Sequence, residues 1–213
     1  MPDYDITIVG AGPGGYVAAV RAAQRGAKTA LVEKEYLGGT CLNWGCIPTK
    51  ALIASAERLA DIRNAATFGI RVDGDATPDW AAMLKRKDRT VRGLRKGIET
   101  LMKSNGIDVL RGTGAFSGHR KVSVVDGDDA GAELVSRNVI IATGSDSVRP
   151  SFIPEADNIL DSRAALSAET LPERMLVLGG GVIGCEFACM YAQLGVDVTL
   201  VEMLPQILPS QDA

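Results

Sequence analysis

The chain has 213 residues, enough for one large domain or two small ones, and its 46% apolar and 23% charged content is that of an ordinary globular protein. A net charge of -3 excludes the basic footprint of a nucleic-acid binder. No apolar run reaches membrane-span length, and the start, Met1-Pro2-Asp3-Tyr4-Asp5, lacks the basic and apolar regions of a signal peptide. Four cysteines in a chain of this length do not form a secreted disulfide scaffold, so a cytoplasmic setting is expected. There, a disulfide is catalytic or redox-sensing.

In chain order, Asp5 to Val9 reads as a short buried strand. It runs into Gly10-Ala11-Gly12-Pro13-Gly14-Gly15, a G-x-G-x-x-G turn. An Ala- and Val-rich helix follows from Tyr16 to Arg25 and stops at Gly26, as a C-terminal glycine does. Thr29 to Val32 is a second strand, closed by Glu33. Strand, glycine turn, helix, strand and acid in this order form a dinucleotide-binding unit. Gly10 allows the tight turn, Gly12 lets a pyrophosphate approach the backbone, and Gly15 lets helix and strand pack closely. The phosphates rest on the helix N-terminus, and Glu33 accepts hydrogen bonds from ribose hydroxyls.

Next comes Gly38-Gly39-Thr40-Cys41-Leu42-Asn43-Trp44-Gly45-Cys46-Ile47-Pro48-Thr49-Lys50. Two cysteines four residues apart can close a small disulfide ring. Pro48 suits the first turn of a helix, which places Cys46 at the positive end of that helix. A thiolate is stabilised there, so the Cys46 pKa should fall, and Lys50 adds positive charge one turn on. A redox-active pair is the favoured reading. A stapled loop and half a zinc site are the alternatives, although a single pair without a nearby His makes a poor zinc site.

Thr49 to Arg63 carries Leu52, Ile53, Ala56, Leu59 and Ala60 at helical spacing. A loop spans 68–79, and Asp79 caps a long helix from Trp80 to Asn105. Its basic run (Lys85, Arg86, Lys87, Arg89, Arg92, Arg95, Lys96) reads as a solvated face. From Val109 to Ala142 the pattern suggests a small antiparallel meander of strands at 109–112, 121–125, 133–135 and 138–142, with His119 in a surface turn. Ala142-Thr143-Gly144-Ser145 is a small-residue turn that can lie against a cofactor. A proline-bearing connection with a short helix near 162–167 leads to the second unit. There the opening pattern recurs: strand Met175 to Leu178, turn Gly179-Gly180-Gly181-Val182-Ile183-Gly184, a helix from Cys185 to Gln193, strand Val198 to Val201, and Glu202. Glu33 stands 23 residues after Gly10, and Glu202 stands 23 after Gly179. Cys185 and Cys189 read as small buried residues of the second helix. The chain stops soon after Glu202, leaving a sheet too narrow to stand well alone, so the sequence is expected to be part of a longer protein.

Two dinucleotide motifs flanking a C-x4-C pair resemble the flavin-dependent pyridine nucleotide–disulfide oxidoreductases. The resemblance runs from Tyr4 to Ala213. It is carried by Gly38 to Lys50, by Trp80 with Arg86-Lys87-Asp88, by Ala142 to Ser145 and by Gly179 to Glu186. Within the family the chain is most similar to the dihydrolipoamide-oxidising branch. The implied fold is α/β, with two Rossmann-like units. An FAD-binding domain with helical and β-meander insertions and the redox disulfide is expected over 1–147. A linker and the start of an NAD-binding domain are expected over 148–213, with the C-terminal dimerisation domain lying outside the chain.

The resemblance also implies roles. Gly10, Gly12, Gly14, Gly15, Glu33 and Lys34 would bind the ADP half of FAD. Gly39, Thr40, Lys50, Gly114, Ala115, Thr143, Gly144 and Ser145 would line the rest of its site, with Lys50 paired to Glu186. Cys46 would face the flavin and Cys41 would exchange with the substrate, so Cys41, Cys46, Lys50 and Glu186 form the implied catalytic set. Gly179, Gly181, Val182, Ile183, Gly184 and Glu202 would bind the second nucleotide. Glu202 favours NAD, because a carboxylate repels a 2′-phosphate. No metal is implied. The implied reaction oxidises dihydrolipoamide with NAD, on lipoyl groups of acyltransferase or glycine-cleavage H-type partners, in a homodimer without nucleic acid or membrane. The family's catalytic His–Glu pair lies in the missing region, so the 213 residues alone are expected to be inactive. A mercuric or glutathione reductase-like sibling and a non-catalytic nucleotide-binding or redox-sensing module are the alternatives.

Overall fold

The computed structural model describes residues 2–209. The chain divides into two compact units. One runs from the start to Gly45 and from Val91 to Val148; the other runs from Cys46 to Thr90 and from Arg149 onwards. Among the described residues no helix is long and apolar enough to cross a membrane.

The first unit contains β1 (Tyr4–Val9), α1 (Pro13–Gln24), β2 (Thr29–Glu33) and α2 (Gly39–Trp44). It also holds the second half of the long helix Trp80–Ser104 and the strands Asp108–Arg111, Gly114–Gly118, Lys121–Val124 and Glu133–Ile141. These strands are β3, β4, β5 and β6. They form one six-stranded sheet in the order β3-β2-β1-β6-β5-β4. β3, β2, β1 and β6 are parallel neighbours, while β6-β5-β4 is antiparallel. Every residue of β2 is buried, as a central parallel strand requires with cover on both faces. Val9, Ala30, Val32, Val122, Val124 and Leu134 form the core here.

Three expectations change. The strand at 109–112 is not part of the meander: β3 pairs parallel with β2 at the far edge of the sheet. The first meander strand is instead β4, whose two glycines and single large apolar residue give a weak strand signal. The separate strands at 133–135 and 138–142 are one strand, β6, which pairs antiparallel with β5 through its first residues and parallel with β1 further on. Ser136 looks like a break, yet it is buried with its hydroxyl bonded to that of Thr7 on β1. A polar residue can continue a buried strand when its hydrogen bond is made there.

The second unit contains α3 (Cys46–Arg63), a single 3-10 turn (Ala65–Phe68), the first half of α4 (Trp80–Ser104), and α5 (Ser162–Ala165). The glycine-turn unit follows as β7 (Arg174–Leu178), α6 (Val182–Gln193) and β8 (Asp197–Val201). β7 and β8 pair in parallel. Leu52, Ala56 and Leu59 lie on one stripe of α3 and pack with Trp80, Ala165, Leu166, Phe187, Met190 and Tyr191. The two aromatic polar groups of this core are satisfied. The Trp80 indole N–H donates to the Ala168 carbonyl at 2.9 Å, and the Tyr191 hydroxyl donates to the Ala165 carbonyl at 3.1 Å. Burial pushes the Tyr191 pKa up.

The basic run of α4 is therefore not wholly a solvated face. Lys87 is buried and donates to the Leu166 carbonyl at 2.7 Å while pairing with Asp88 at 3.0 Å. Arg86 donates to the Ala51 carbonyl at 2.7 Å. Both cations bind carbonyls of distant chain segments, and Lys87 does so away from solvent. The structure also adds α2, a one-and-a-half-turn helix absent from the sequence reading, and runs α3 from Cys46, the helix end that Pro48 indicated. α1 begins at Pro13, three residues before the expected start.

Leu52 is fully buried, whereas Leu94 on α4 is 45% exposed. Leu52→Ala is expected to cost about 3 kcal/mol in urea unfolding of the intact protein. Leu94→Ala should stay within about 0.5 kcal/mol of the parent. Equal losses would contradict the core described here.

Candidate functional site

The two glycine turns have nearly the same geometry, each within its own unit. Gly10 has φ +97° and Gly179 has φ +107°, in the left-handed region that favours glycine. A Cβ at Gly15 would lie 1.8 Å from the Gly10 carbonyl oxygen, and one at Gly184 would lie 1.9 Å from that of Gly179. Each helix is capped by a glycine with almost identical dihedrals: Gly12 at φ -67°, ψ -177°, and Gly181 at φ -72°, ψ -178°. A glycine cap offers no side chain to the first N–H groups. Those groups stay directed at whatever anion lies beyond the helix end. Gly14, Val182 and Ile183 are exposed in these first turns.

The acids at the strand ends have a structural role that the sequence reading missed. Glu33 accepts from the Ala11 N–H at 2.7 Å through one oxygen and from the Glu35 N–H at 2.8 Å through the other. Glu202 repeats this, accepting from Gly180 at 2.6 Å and from Leu204 at 2.8 Å. Each carboxylate staples its glycine turn to the end of the second strand. Each carboxylate still has acceptor capacity left over. The paired spacing of 23 residues was the available signal, because the same geometry must close in both units.

Around the first turn the structure gathers several of the expected residues. Gly39 has φ +63°, and a Cβ on it would meet the Gly12 Cα at 2.5 Å. The start of α2 therefore lies against the glycine turn. The Thr40 hydroxyl reaches the Ser145 carbonyl at 3.5 Å. Gly10 abuts the backbone of Ala142 and Thr143, and Thr143, Gly144 and Ser145 are exposed. Close approach of three glycines at the N-terminus of α1 is a cradle that fits a dinucleotide diphosphate. Gly114 lies against the strand ends next to this turn, where a Cβ would meet the Val9 and Val32 side chains at 2.9 and 3.2 Å. It is a close-packing position under the strand ends, with half-buried Ala115 beside it. Lys34 is exposed and helps to lower the Asp126 pKa, after the larger effect of two hydrogen bonds from Thr113 to that carboxylate.

Cys41 is half-buried on α2, and Cys46 is exposed as the first residue of α3. Pro48 occupies the first turn, buried with Thr49. In the second unit the Lys50 ammonium forms an ion pair with Glu186 on α6. The pairing expected for these two residues is thus present. Gly179, Gly181, Val182, Ile183, Gly184 and Glu202 assemble as one turn. His119 is exposed between β4 and β5.

The protein-family model described as "Pyridine nucleotide-disulphide oxidoreductase" matches residues 4–213. The dihydrolipoyl dehydrogenase of Chlamydia pneumoniae is 47% identical over 97% of this chain and 44% of its own length. That of Bacillus subtilis is 43% identical over 97% of this chain and 45% of its length. The solved structure of the HOCl-induced flavoprotein disulfide reductase RclA from Escherichia coli superposes with a TM-score of 0.83 at 31% identity, over 99% of this chain and 44% of that one. The chain therefore spans less than half the length of these three relatives.

Backbone N–H groups of Leu204, Gly180 and Met203 hold the Glu202 carboxyl below the usual carboxylate range. A lowered folded pKa contributes stability that is complete above about pH 5 and lost as pH falls through the lowered value. Glu202→Gln is expected to remove this part of the acid-side slope, read by thermal unfolding of the intact protein from pH 7 to pH 3. An unchanged slope would show that the staple contributes nothing.

Proposed function

This chain belongs to the pyridine nucleotide–disulphide oxidoreductase family, and on that premise we propose that it is the N-terminal part of a dihydrolipoamide dehydrogenase. The observation that carries the proposal is the matched pair of stapled glycine turns, one in each unit, with Cys41 and Cys46 between them in sequence. Two dinucleotide sites and one thiol pair are what a thiol-to-nicotinamide electron relay requires.

The first glycine turn, Glu33, Gly39, Thr40 and the Thr143–Ser145 turn would hold FAD. The second turn and Glu202 would hold NAD, the carboxylate disfavouring a 2′-phosphate. Bound FAD supplies two-electron transfer between thiols and nicotinamide. The chain's own part is thiol chemistry and positioning. One thiolate of a dihydrolipoyl group attacks the Cys41 sulfur, the Cys41–Cys46 bond breaks, and Cys46 leaves as a thiolate. The second substrate thiolate then attacks the substrate sulfur of the mixed disulfide, closing the lipoyl disulfide and releasing Cys41. The substrate dithiol has lost two electrons to the cysteine pair, and its two protons pass to the released cysteine sulfurs or to water. Cys46 is the first residue of α3. The ion pair with Glu186 fixes the direction of the Lys50 ammonium, which would approach the flavin.

The FAD-binding domain would take 1–147 and the beginning of the NAD-binding domain 148–213, with residues 46–90 packed in the compact unit that contains 149 onwards. The partners are the lipoyl groups of 2-oxo acid dehydrogenase or glycine-cleavage complexes, in the cytoplasm, with the intact protein a homodimer. The 43–47% identity to dihydrolipoyl dehydrogenases, against 31% to the RclA reductase, favours this substrate over that of a sibling reductase.

The intact protein is expected to be yellow. Partial reduction should give a long-wavelength absorption band that Cys46→Ser abolishes. It should reduce NAD with dihydrolipoamide and show little NADPH oxidation with glutathione disulfide or mercuric ion. A colourless protein would overturn the flavoenzyme reading, and preference for either oxidant would overturn the substrate.

A further inference from the structure

α2 carries Cys41, yet it has only six residues, too few to hold a helix by its own hydrogen bonds. Its entry is equally weak, since Gly38 has φ +102° and supplies no side-chain cap. The stabilisation comes from Asn43. The Asn43 amide nitrogen donates to the Leu37 carbonyl at 3.1 Å and to the Gly39 carbonyl at 2.9 Å, tying the end of α2 back to its start. The Asn43 amide oxygen accepts from the Nε and Nη2 of Arg95 at 3.0 and 2.8 Å. Arg95 can only donate, so it fixes which way the Asn43 amide faces. Its guanidinium also lies over the Tyr36 ring, 3.6 Å from the centroid. Tyr36 in turn meets Trp44 edge-on, with centroids 6.4 Å apart and planes at 61°. Residues just before α2 and at its end are thus clasped by one side chain from α4.

Resting on the reading of Cys41 and Cys46 as a redox pair, we propose that Asn43 and Arg95 are positioning residues for Cys41: they hold α2 so that the Cys41 thiol closes and reopens its disulfide with a fixed equilibrium. A disulfide forms only when the two Cα atoms come within a narrow range of separation. A frayed α2 spends less time in that range, so losing the clasp shifts the equilibrium towards the dithiol. A lysine at position 95 cannot replace the fork or the stacked plane.

The test equilibrates the intact protein with reduced and oxidised dithiothreitol. The protein disulfide breaks, the dithiothreitol ring disulfide forms, and two protons move to the protein thiols. Arg95→Ala is expected to lower the oxidised-to-reduced ratio about fivefold, which is about 20 mV for a two-electron couple. Arg95→Lys should shift it as far. Asn43→Asp keeps a partner for Arg95 but loses both amide donors, so it should shift the ratio in the same direction. Combining Arg95→Ala with Asn43→Asp should add less than the sum, because both break one clasp. Arg92→Ala, exposed on the same helix, should leave the ratio unchanged. If Arg95→Ala does not fold, Tyr36→Leu removes the ring beneath the guanidinium and reads the same clasp. Variants within twofold of the parent, or full rescue by Arg95→Lys, overturn the proposal alone. A parent protein with no Cys41–Cys46 disulfide by peptide mapping overturns the redox-pair reading, and the proposal with it.

Discussion

A close backbone contact governs both nucleotide units. The carbonyl oxygen of Gly10 occupies the space that a Cβ at Gly15 would need, and Gly179 stands in the same relation to Gly184. Only glycine at the later position lets the helix start so near the strand it follows. That nearness brings the first helix N–H groups to the strand end, where an anion can meet them. The contact gives little freedom to the turn between, and the carboxylate of the following strand removes what remains. Glu33 and Glu202 each bond a backbone N–H inside the turn and another two residues beyond themselves.

This staple joins stability to function in one group. A carboxylate held by two backbone donors is fixed in direction before any ligand arrives. It then presents its free lone pairs at a fixed place, so little ordering remains to be done on binding. The thiol motif is organised on the same principle at a smaller scale. α2 is too short to stand alone, and its own Asn43 side chain, held by Arg95 and Tyr36 from outside, supplies what its ladder of hydrogen bonds cannot. In the second unit the helix after Cys46 gains its stability by burying Leu52, Ala56 and Leu59 against Phe187, Met190 and Tyr191.

Departures from the sequence reading share a cause. β3 reads as a neighbour of the later strands because it is close to them in sequence, yet it pairs with β2. Ser136 reads as an interruption, yet a hydroxyl partner on β1 lets it continue a strand. Lys87 reads as solvated, yet a carbonyl on a distant segment receives it. In each case the decisive partner lies far along the chain. Local pattern records what a residue prefers; it does not record which remote group will satisfy it.

The sequence by itself determined the repeated strand, glycine turn, helix and acid, the α/β class, the family, and the placing of Cys46 at a helix start. These follow from spacing over a few dozen residues, where steric limits on glycine and proline act directly. Only the tertiary structure decided the order of the six strands, the merging of two strands into β6, and the clasp on Asn43. Those depend on pairing between segments that sequence separation leaves unspecified. The carboxylates bridge the two levels: their spacing was legible, and their hold on the glycine turns appeared only when the backbone N–H groups had positions.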